Sequence, residues 1–337
     1  MKSLTFKAVK SLLKSPKKIV IVTHVNPDGD AIGSALGLRQ YLIQKGHKST
    51  VIVPNDYPKF LKWIPGTSEV LNYEQNTALA IKKLKDTNII FTVDFNALHR
   101  SGPMQIQLEK NKAPMIMIDH HQQPEDYAAY RYSDTNMGST AEMVYHFINQ
   151  LGDLELINKE VGIGLYTGIM TDTASFRFPK TSVKTHRVAA HLIELGVDHS
   201  EIHSRVYDAN RYERLQLMGK ALNNLIVLKS LNTAYITLSQ AELDACNHQK
   251  GDTEGLVNYG LSVEGVKLAV IFIEKKAEGT IKISLRSKGH FDVNHFARNH
   301  FDGGGHKNAA GGKSELSLEA TIAKFKTLIK SHKKELQ

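Results

Sequence analysis

Short apolar runs rich in β-branched residues alternate with stretches of helical periodicity along the first half of the chain. Residues 18–23 (KIVIVT), 50–53, 88–94 (NIIFTVD) and 114–119 (PMIMID) read as strands, with helices over 31–45 and within 77–84. Near-continuous apolar strands separated by helices predict a parallel sheet covered on both faces. Ligands of such sheets collect beyond the carboxyl ends of the strands. From 138 to 218 the pattern is mostly helical, with runs at 139–150, 158–170, 183–195 and 200–217. Strands return at 225–228, 234–238, 266–273 and 280–285, and a helix over 318–330 closes the chain. The expected organisation is an α/β domain over 1–195, a helical linker over 196–220, where the chain is polar and charged, and a smaller α/β domain over 221–337. Ahead of the first strand, Leu4, Phe6, Val9, Leu12 and Leu13 are spaced among lysines, as in an amphipathic helix across 1–18.

Composition narrows the class. The chain has 337 residues, 41% hydrophobic and 23% charged, which suits a soluble protein of two domains. A single cysteine, Cys246, excludes an internal disulfide framework and fits the cytoplasm. No run approaches the roughly 18 apolar residues of a membrane span, so no membrane partner is expected. The formal charge of +9 favours an acidic partner such as a nucleotide or nucleic acid, although scattered lysines give the same sum in many proteins.

The chemistry-bearing residues gather where the parallel sheet would bind. His24, Asp28 and Asp30 lie in one loop after the first strand, and Pro27 and Gly29 turn that loop so that both aspartates can project toward one point. Asp30 also suits a helix N-cap before Ala31, a reading that leaves His24 and Asp28 unexplained. Asp94 ends the 88–94 strand, Asp119-His120-His121 follows another, and Asp172 sits between Thr171 and Thr173 after a helical run. Adjacent histidines point in different directions, so one can ligate while the other faces substrate, and Asp119 can fix an imidazole tautomer. Carboxylates and imidazoles without thiolates favour Mn²⁺, Mg²⁺ or Fe²⁺ over structural zinc. The number of donors suits two ions sharing a carboxylate, an arrangement that serves phosphoryl chemistry. Trp63 and Tyr57 read as packing residues, and His186, His191, His199 and His203 as exposed helix positions.

In this order and spacing the motifs closely resemble the DHH phosphoesterases, whose name describes the triplet Asp119-His120-His121. Within them the chain is similar to the short-oligoribonucleotide exonuclease and 3′-phosphoadenosine 5′-phosphate phosphatase group, the nanoRNases. The resemblance runs from HVNPDGDAIGS at His24 through Asp94, the DHH triplet and Thr171-Asp172-Thr173. It continues to Arg286-Ser287 and the 303–312 segment (GGGHKNAAGG), which resemble the DHHA1 substrate-binding domain. It implies one cation on His24, Asp28 and Asp94 and a second on Asp30, Asp94, His120 and Asp172, manganese being the first expectation. His121, beside Asp119, is implied as the contact to the scissile phosphate and general acid, and Arg100 as a phosphate contact. Arg286, Gly303, Gly304, Gly305 and His306 are implied as a nucleotide clamp on the second domain, with the active site in the interdomain cleft. Ala174 departs from the glycine that relatives commonly carry after the Thr-Asp-Thr triplet.

The implied activity is hydrolysis of short RNA and of 3′-phosphoadenosine 5′-phosphate, with a homodimer compatible. Alternatives are a linear or cyclic dinucleotide phosphodiesterase, an exopolyphosphatase or pyrophosphatase, and a non-catalytic nucleotide-binding protein.

Overall fold

The first sheet is built from strands whose every second residue points to each of two buried faces. In the computed structural model, which describes residues 5–337, the chain divides into two units between Ala209 and Asn210. The first unit carries strands β1 (Lys18–Val22), β2 (Lys48–Val53), β3 (Leu71–Asn72), β4 (Ile89–Val93), β5 (Met115–Asp119) and β6 (Tyr130–Ser133). Its helices are α1 (Phe6–Leu12), α2 (Gly29–Gln44), α3 (Thr77–Lys85), α4 (Gln105–Glu109), α5 (Thr140–Leu151), α6 (Lys159–Asp172), α7 (Val183–Glu194) and α8 (His199–His203). All neighbouring strands are parallel, in the order β3-β2-β1-β4-β5-β6. That order reverses direction between β1 and β4, and this switch point is where a doubly wound sheet opens a crevice at its carboxyl edge.

Both faces are dry. Ile19, Ile21, Val51, Val53, Phe91, Val93, Ile116 and Ile118 pack with apolar residues of α2, α5 and α6. Their alternates Val20, Val22, Ile52 and Ile90 pack with Ala80, Leu84, Met104 and Leu108 on the other side. The expectation of a parallel sheet with two covered faces is met, and β3 and β6, too short and polar to stand out in sequence, extend it. Of the amphipathic helix expected across 1–18, residues 1–4 lie outside the described residues, and the observed helix is α1.

Helix α2 leans on α6 through small residues. A Cβ on Gly33 would stand 2.4 Å from the Gly164 carbonyl oxygen, and one on Gly168 would stand 2.9 Å from Asp30 Oδ1. Only glycine lets two helix backbones approach this closely. The contact brings the start of α2 beside the end of α6, where Asp172 lies.

The single helix expected over 200–217 does not form. After α8 the chain makes one π-helical turn (Ser204–Asp208), breaks at Ala209–Asn210, and restarts as α9 (Tyr212–Asn223). Ala209 leaves helical geometry at φ −94°, ψ 39°, and Arg211, extended at the N-cap of α9, cannot continue a helix from it.

The second unit holds a six-stranded sheet in the order β11-β12-β10-β9-β8-β7. Its strands are β7 (Ile226–Leu228), β8 (Thr233–Leu238), β9 (Leu268–Lys275), β10 (Thr280–Ser287), β11 (Gly304–His306) and β12 (Ala309–Ser314). Its remaining helices are α10 (Gln240–Ala245), α11 (Leu256–Ser262), α12 (Val293–His300) and α13 (Leu318–Ser331). Only β8 and β9 are parallel. One face packs with α9, α10 and α11 through Ile236, Leu238, Ile271 and Ile273. The other packs under α12 and α13 through Val270, Phe272, Ile283 and Leu285. No described helix is long and apolar enough to cross a membrane.

Candidate metal centre

The carboxyl ends of β1, β4 and β5 each deliver polar residues to the crevice. Asp28, not Asp30, caps α2: its Oδ1 accepts the Asp30 and Ala31 amides at 3.0 and 3.1 Å. The capping oxygen fixes the carboxylate in the positive field of the helix start. Asp30, released from that task, is buried and reaches the start of α5. There its Oδ2 accepts the Thr140 amide at 2.6 Å and its Oδ1 the Ala141 amide at 2.9 Å. Each carboxylate oxygen keeps a second lone pair for another partner.

Asp94 is centrally placed. Its backbone has φ +64°, an uncommon left-handed conformation that turns the chain off β4. Oδ2 lies 3.3 Å from His24 Nε2, and Oδ1 accepts the Thr140 hydroxyl at 2.9 Å. Oδ1 is also 3.6 Å from His120 Nε2. His120 Nε2 further lies 3.3 Å from Asp172 Oδ2 and 3.7 Å from Asp30 Oδ2.

The imidazole tautomers follow from carbonyl partners. A carbonyl can only accept, so His24 Nδ1 donates to the Val25 carbonyl (2.8 Å) and His120 Nδ1 to that of Met137 (3.2 Å). Each ring is left with Nε2 facing the carboxylates: protonated, that nitrogen of His24 donates to Asp94 Oδ2, and deprotonated it offers the lone pair that metal-binding imidazoles use. His121 turns the other way, its ring at 76° to that of His120. Its Nδ1 stands 2.7 Å from Asp119 Oδ1, and its amide donates to Asp119 Oδ2 at 3.0 Å.

Electrostatics reflect the crowding. Burial, then the charges of Asp94, Asp172 and Asp28, hold the Asp30 carboxyl well above its ordinary value. Asp94 is likewise desolvated, yet the His24 hydrogen bond and the imidazoles of His121, His24 and His120 hold it low. Desolvation and the Asp94 charge push Asp119 up to about 7, and desolvation with Arg100 pushes His121 down. Arg100 lies in a 3₁₀ segment (Leu98–Met104), its carbonyl accepts the Val25 amide at 2.8 Å, and its guanidinium faces Asn96 Oδ1 at 3.4 Å.

The donors thus fall into two groups, His24–Asp28–Asp94 and Asp30–His120–Asp172, each with its ligand atoms within 4.8 Å of one another. Oxygen and imidazole donors without thiolate fit hard divalent cations, and Cys246 lies in the other unit. The sequence did not point to Thr140, Ala141 or the Met137 carbonyl, because no local pattern tells which distant carboxylate a helix start will receive.

In the second unit, register places Arg286 opposite Ala309 and Ala309 opposite His306, so the two basic residues lie on one row across an alanine. The 303–306 segment is part of a hairpin, not an open loop. A Cβ on Gly303 would stand 2.0 Å from the Gly311 carbonyl oxygen, and one on Gly305 would stand 2.5 Å from that of Ala309. The Gly305 amide donates to Asn294 Oδ1 at 2.9 Å, which ties the hairpin to α12.

Two family models match the chain: the DHH family, N-terminal domain, over residues 18–169, and the DHHA1 domain over residues 238–333. The chain is 30% identical to the probable bifunctional oligoribonuclease and PAP phosphatase NrnA of Streptococcus mutans, covering 92% of this chain and 93% of that one. The chain belongs to the DHH family. A second relative is the bifunctional oligoribonuclease and PAP phosphatase NrnA of Thermus thermophilus, 33% identical over 87% of this chain and 83% of that one. Among solved structures, an exopolyphosphatase-related protein from Bacteroides fragilis is 38% identical, covers 98% of this chain and 97% of its own, and superposes with a TM-score of 0.94.

The remaining residues singled out in the sequence have structural partners. Trp63 Nε1 donates to the Phe60 carbonyl and Tyr57 is buried in the core. Of the histidines expected on exposed helix faces, His186 and His199 are exposed, His186 also stacking on Phe176, whereas His191 and His203 are half-buried and meet the Tyr145 hydroxyl and Ser175.

Proposed function

We propose that this DHH protein is a cytoplasmic exoribonuclease of very short RNA and a phosphatase of 3′-phosphoadenosine 5′-phosphate, dependent on a pair of divalent cations with manganese preferred. The chain is a hydrolase of phosphoester bonds, a reading supported by its family and by the two NrnA relatives. The observation that carries the proposal is the pair of donor groups meeting at Asp94, with His121 and Arg100 beside them.

His24, Asp28 and Asp94 would hold one cation, and Asp30, Asp94, His120 and Asp172 the other. When bound, such a pair supplies Lewis-acid activation of water and neutralises phosphoryl oxygens. With Nδ1 committed to Asp119, His121 keeps Nε2 to carry a proton to the leaving oxygen. Arg100 offers a fixed positive charge for a phosphoryl oxygen, and the Val25–Arg100 backbone bond ties its position to the loop that carries His24. Arg286 and His306 would recognise the nucleotide, with the Gly303, Gly304 and Gly305 backbone allowing its close approach.

The test is a substrate panel with manganese, magnesium or iron: the bisphosphate nucleotide, RNA from dinucleotide to pentanucleotide, cyclic dinucleotides and pyrophosphate. Phosphate release from the first and mononucleotide release from the second are expected, both lost in Asp94→Ala. Hydrolysis confined to pyrophosphate or to cyclic dinucleotides would overturn the proposal.

A further inference from the structure

On the face of the second sheet where α9, α10 and α11 pack over β8 and β9, the strands β10, β12 and β11 carry a row of partly exposed positions that runs on from the proposed nucleotide contacts. Along β10, Ile281, Ile283 and Leu285 are buried, whereas Lys282 is exposed and Ser284 and Arg286 are partly so. Register extends that exposed set across two more strands. Lys282 pairs with Lys313, Ser284 with Gly311 and Arg286 with Ala309, and Gly304 and His306 then pair with Gly311 and Ala309. The floor between the basic residues is therefore hydroxyl, methyl and bare backbone. Arg286 and His306 stand at one end, and Lys282 stands about 13 Å further along the strand at some 3.3 Å per residue.

The Lys282 end gathers charges of both signs. The Lys282 ammonium is held below its usual value by desolvation and by Lys275, with Glu254 and Glu278 acting against that and Arg286 adding to it. Lys313 is paired with Asp302 at 3.1 Å.

We propose that this face is a subsite for the phosphodiester backbone of a single-stranded RNA, with Lys282 contacting a phosphate beyond the nucleotide held at Arg286 and His306. The proposal rests on the reading of the protein as an oligoribonucleotide hydrolase, and it names what sets its length preference. A mononucleotide or dinucleotide at Arg286 does not extend to Lys282, while a longer chain lays successive phosphates along β10. A flat floor of small residues takes a sugar-phosphate strand of any sequence, and a basic strip attracts it by charge alone.

The experiment measures binding of labelled dinucleotide and pentanucleotide RNA to the full chain in chelator, by fluorescence anisotropy across a salt series. Loss of one phosphate contact in Lys282→Ala should weaken pentanucleotide binding roughly fivefold and lower the salt slope by about one, with less than about a twofold change for the dinucleotide. Lys282→Glu should weaken the pentanucleotide further, and Lys282→Arg should restore it. Equal losses for the two lengths, or no loss in Lys282→Glu, would overturn the subsite. Binding that follows this pattern without RNA hydrolysis in manganese would retire the proposed activity and leave the subsite standing. Hydrolysis with a pentanucleotide affinity indifferent to Lys282 would do the reverse.

Discussion

Gly33 and Gly164 meet so closely that a methyl group on Gly33 would stand 2.4 Å from the Gly164 carbonyl oxygen. The same methyl would stand 2.7 Å from the Gly168 amide nitrogen, and neither backbone atom can move without shifting a helix. This contact holds Asp30, on α2, near Asp172, at the end of α6. The crevice geometry therefore depends on residues that carry no functional group.

Gly33→Ala should lower stability by about 1–3 kcal/mol, the usual range for overpacking, despite the better helix propensity of alanine. Metal affinity should fall with it, because separating the helices separates Asp30 from Asp172. Gly37→Ala is the contrast: its nearest neighbours are the Leu165 side-chain carbons at 2.7 and 2.9 Å, and the nearest backbone atom, the Val161 carbonyl oxygen, is 3.3 Å away. Thermal melts and metal titration of the two variants should show the larger loss in Gly33→Ala, and equal losses would argue against backbone contact as the cause.

Thr140 serves two aspartates at once, its amide bonding Asp30 and its hydroxyl bonding Asp94. Thr140→Val keeps the shape and the amide but removes the hydroxyl. Removal of such a supporting partner typically costs about 10- to 100-fold in metal affinity or activity, and that range is expected here. Thr140→Ser should retain most of the wild-type value. An unchanged metal titration in Thr140→Val would show that the His24 contact alone orients Asp94.

His47 gives the fold a pH dependence remote from the metal centre. Its buried Nδ1 accepts the Lys17 amide at 3.1 Å, which requires a neutral ring. Desolvation, then Lys45, lowers its folded pKa, the Leu13 backbone acting against them and Lys17 adding a smaller push down. A basic group depressed in the folded state binds protons more readily when unfolded. Stability from this site is therefore full above the ordinary histidine range and declines as pH falls through it toward the depressed value. Melting temperature should drop between neutral pH and pH 5, and His47→Gln should flatten that slope relative to wild type. Parallel slopes would assign the acid sensitivity to other groups.

How much of this was legible depends on whether a residue's role is set locally. The apolar runs of β1, β4 and β5 announced themselves because burial on both faces demands near-continuous Val, Ile and Phe. The metal-ligating candidates were legible for the same reason, since each follows one of those strands or a long helix. Strands β11 and β12 were not, because Gly303–Gly312 is poor in β-forming residues and pairs only by virtue of its neighbours. The exchange of roles between Asp28 and Asp30 was equally hidden. Both precede an apolar helix, and only the position of α5 decides which one caps α2 and which one reaches Thr140 and Ala141.

Ala174 occupies a conformation that suits the glycine expected there from the family resemblance. Its φ of +49° begins a left-handed run with Ser175 at +60° and Phe176 at +63°, directly after the end of α6 that carries Asp172. Each L-residue in this region costs about 1–2 kcal/mol, while a glycine loosens the unfolded chain by about 0.4–1 kcal/mol, so Ala174→Gly should stabilise by roughly 0.5–1 kcal/mol. Activity should change little, because the turn is held from Thr173 and not by the alanine methyl. The Thr173 hydroxyl donates to the Ile169 carbonyl and accepts the Phe176 amide, and the Ser175 amide donates to the Met170 carbonyl. A rise in melting temperature with unaltered kcat is the expected result. A rise accompanied by a clear loss of kcat would instead mean that strain in this turn is what keeps Asp172 aligned with His120.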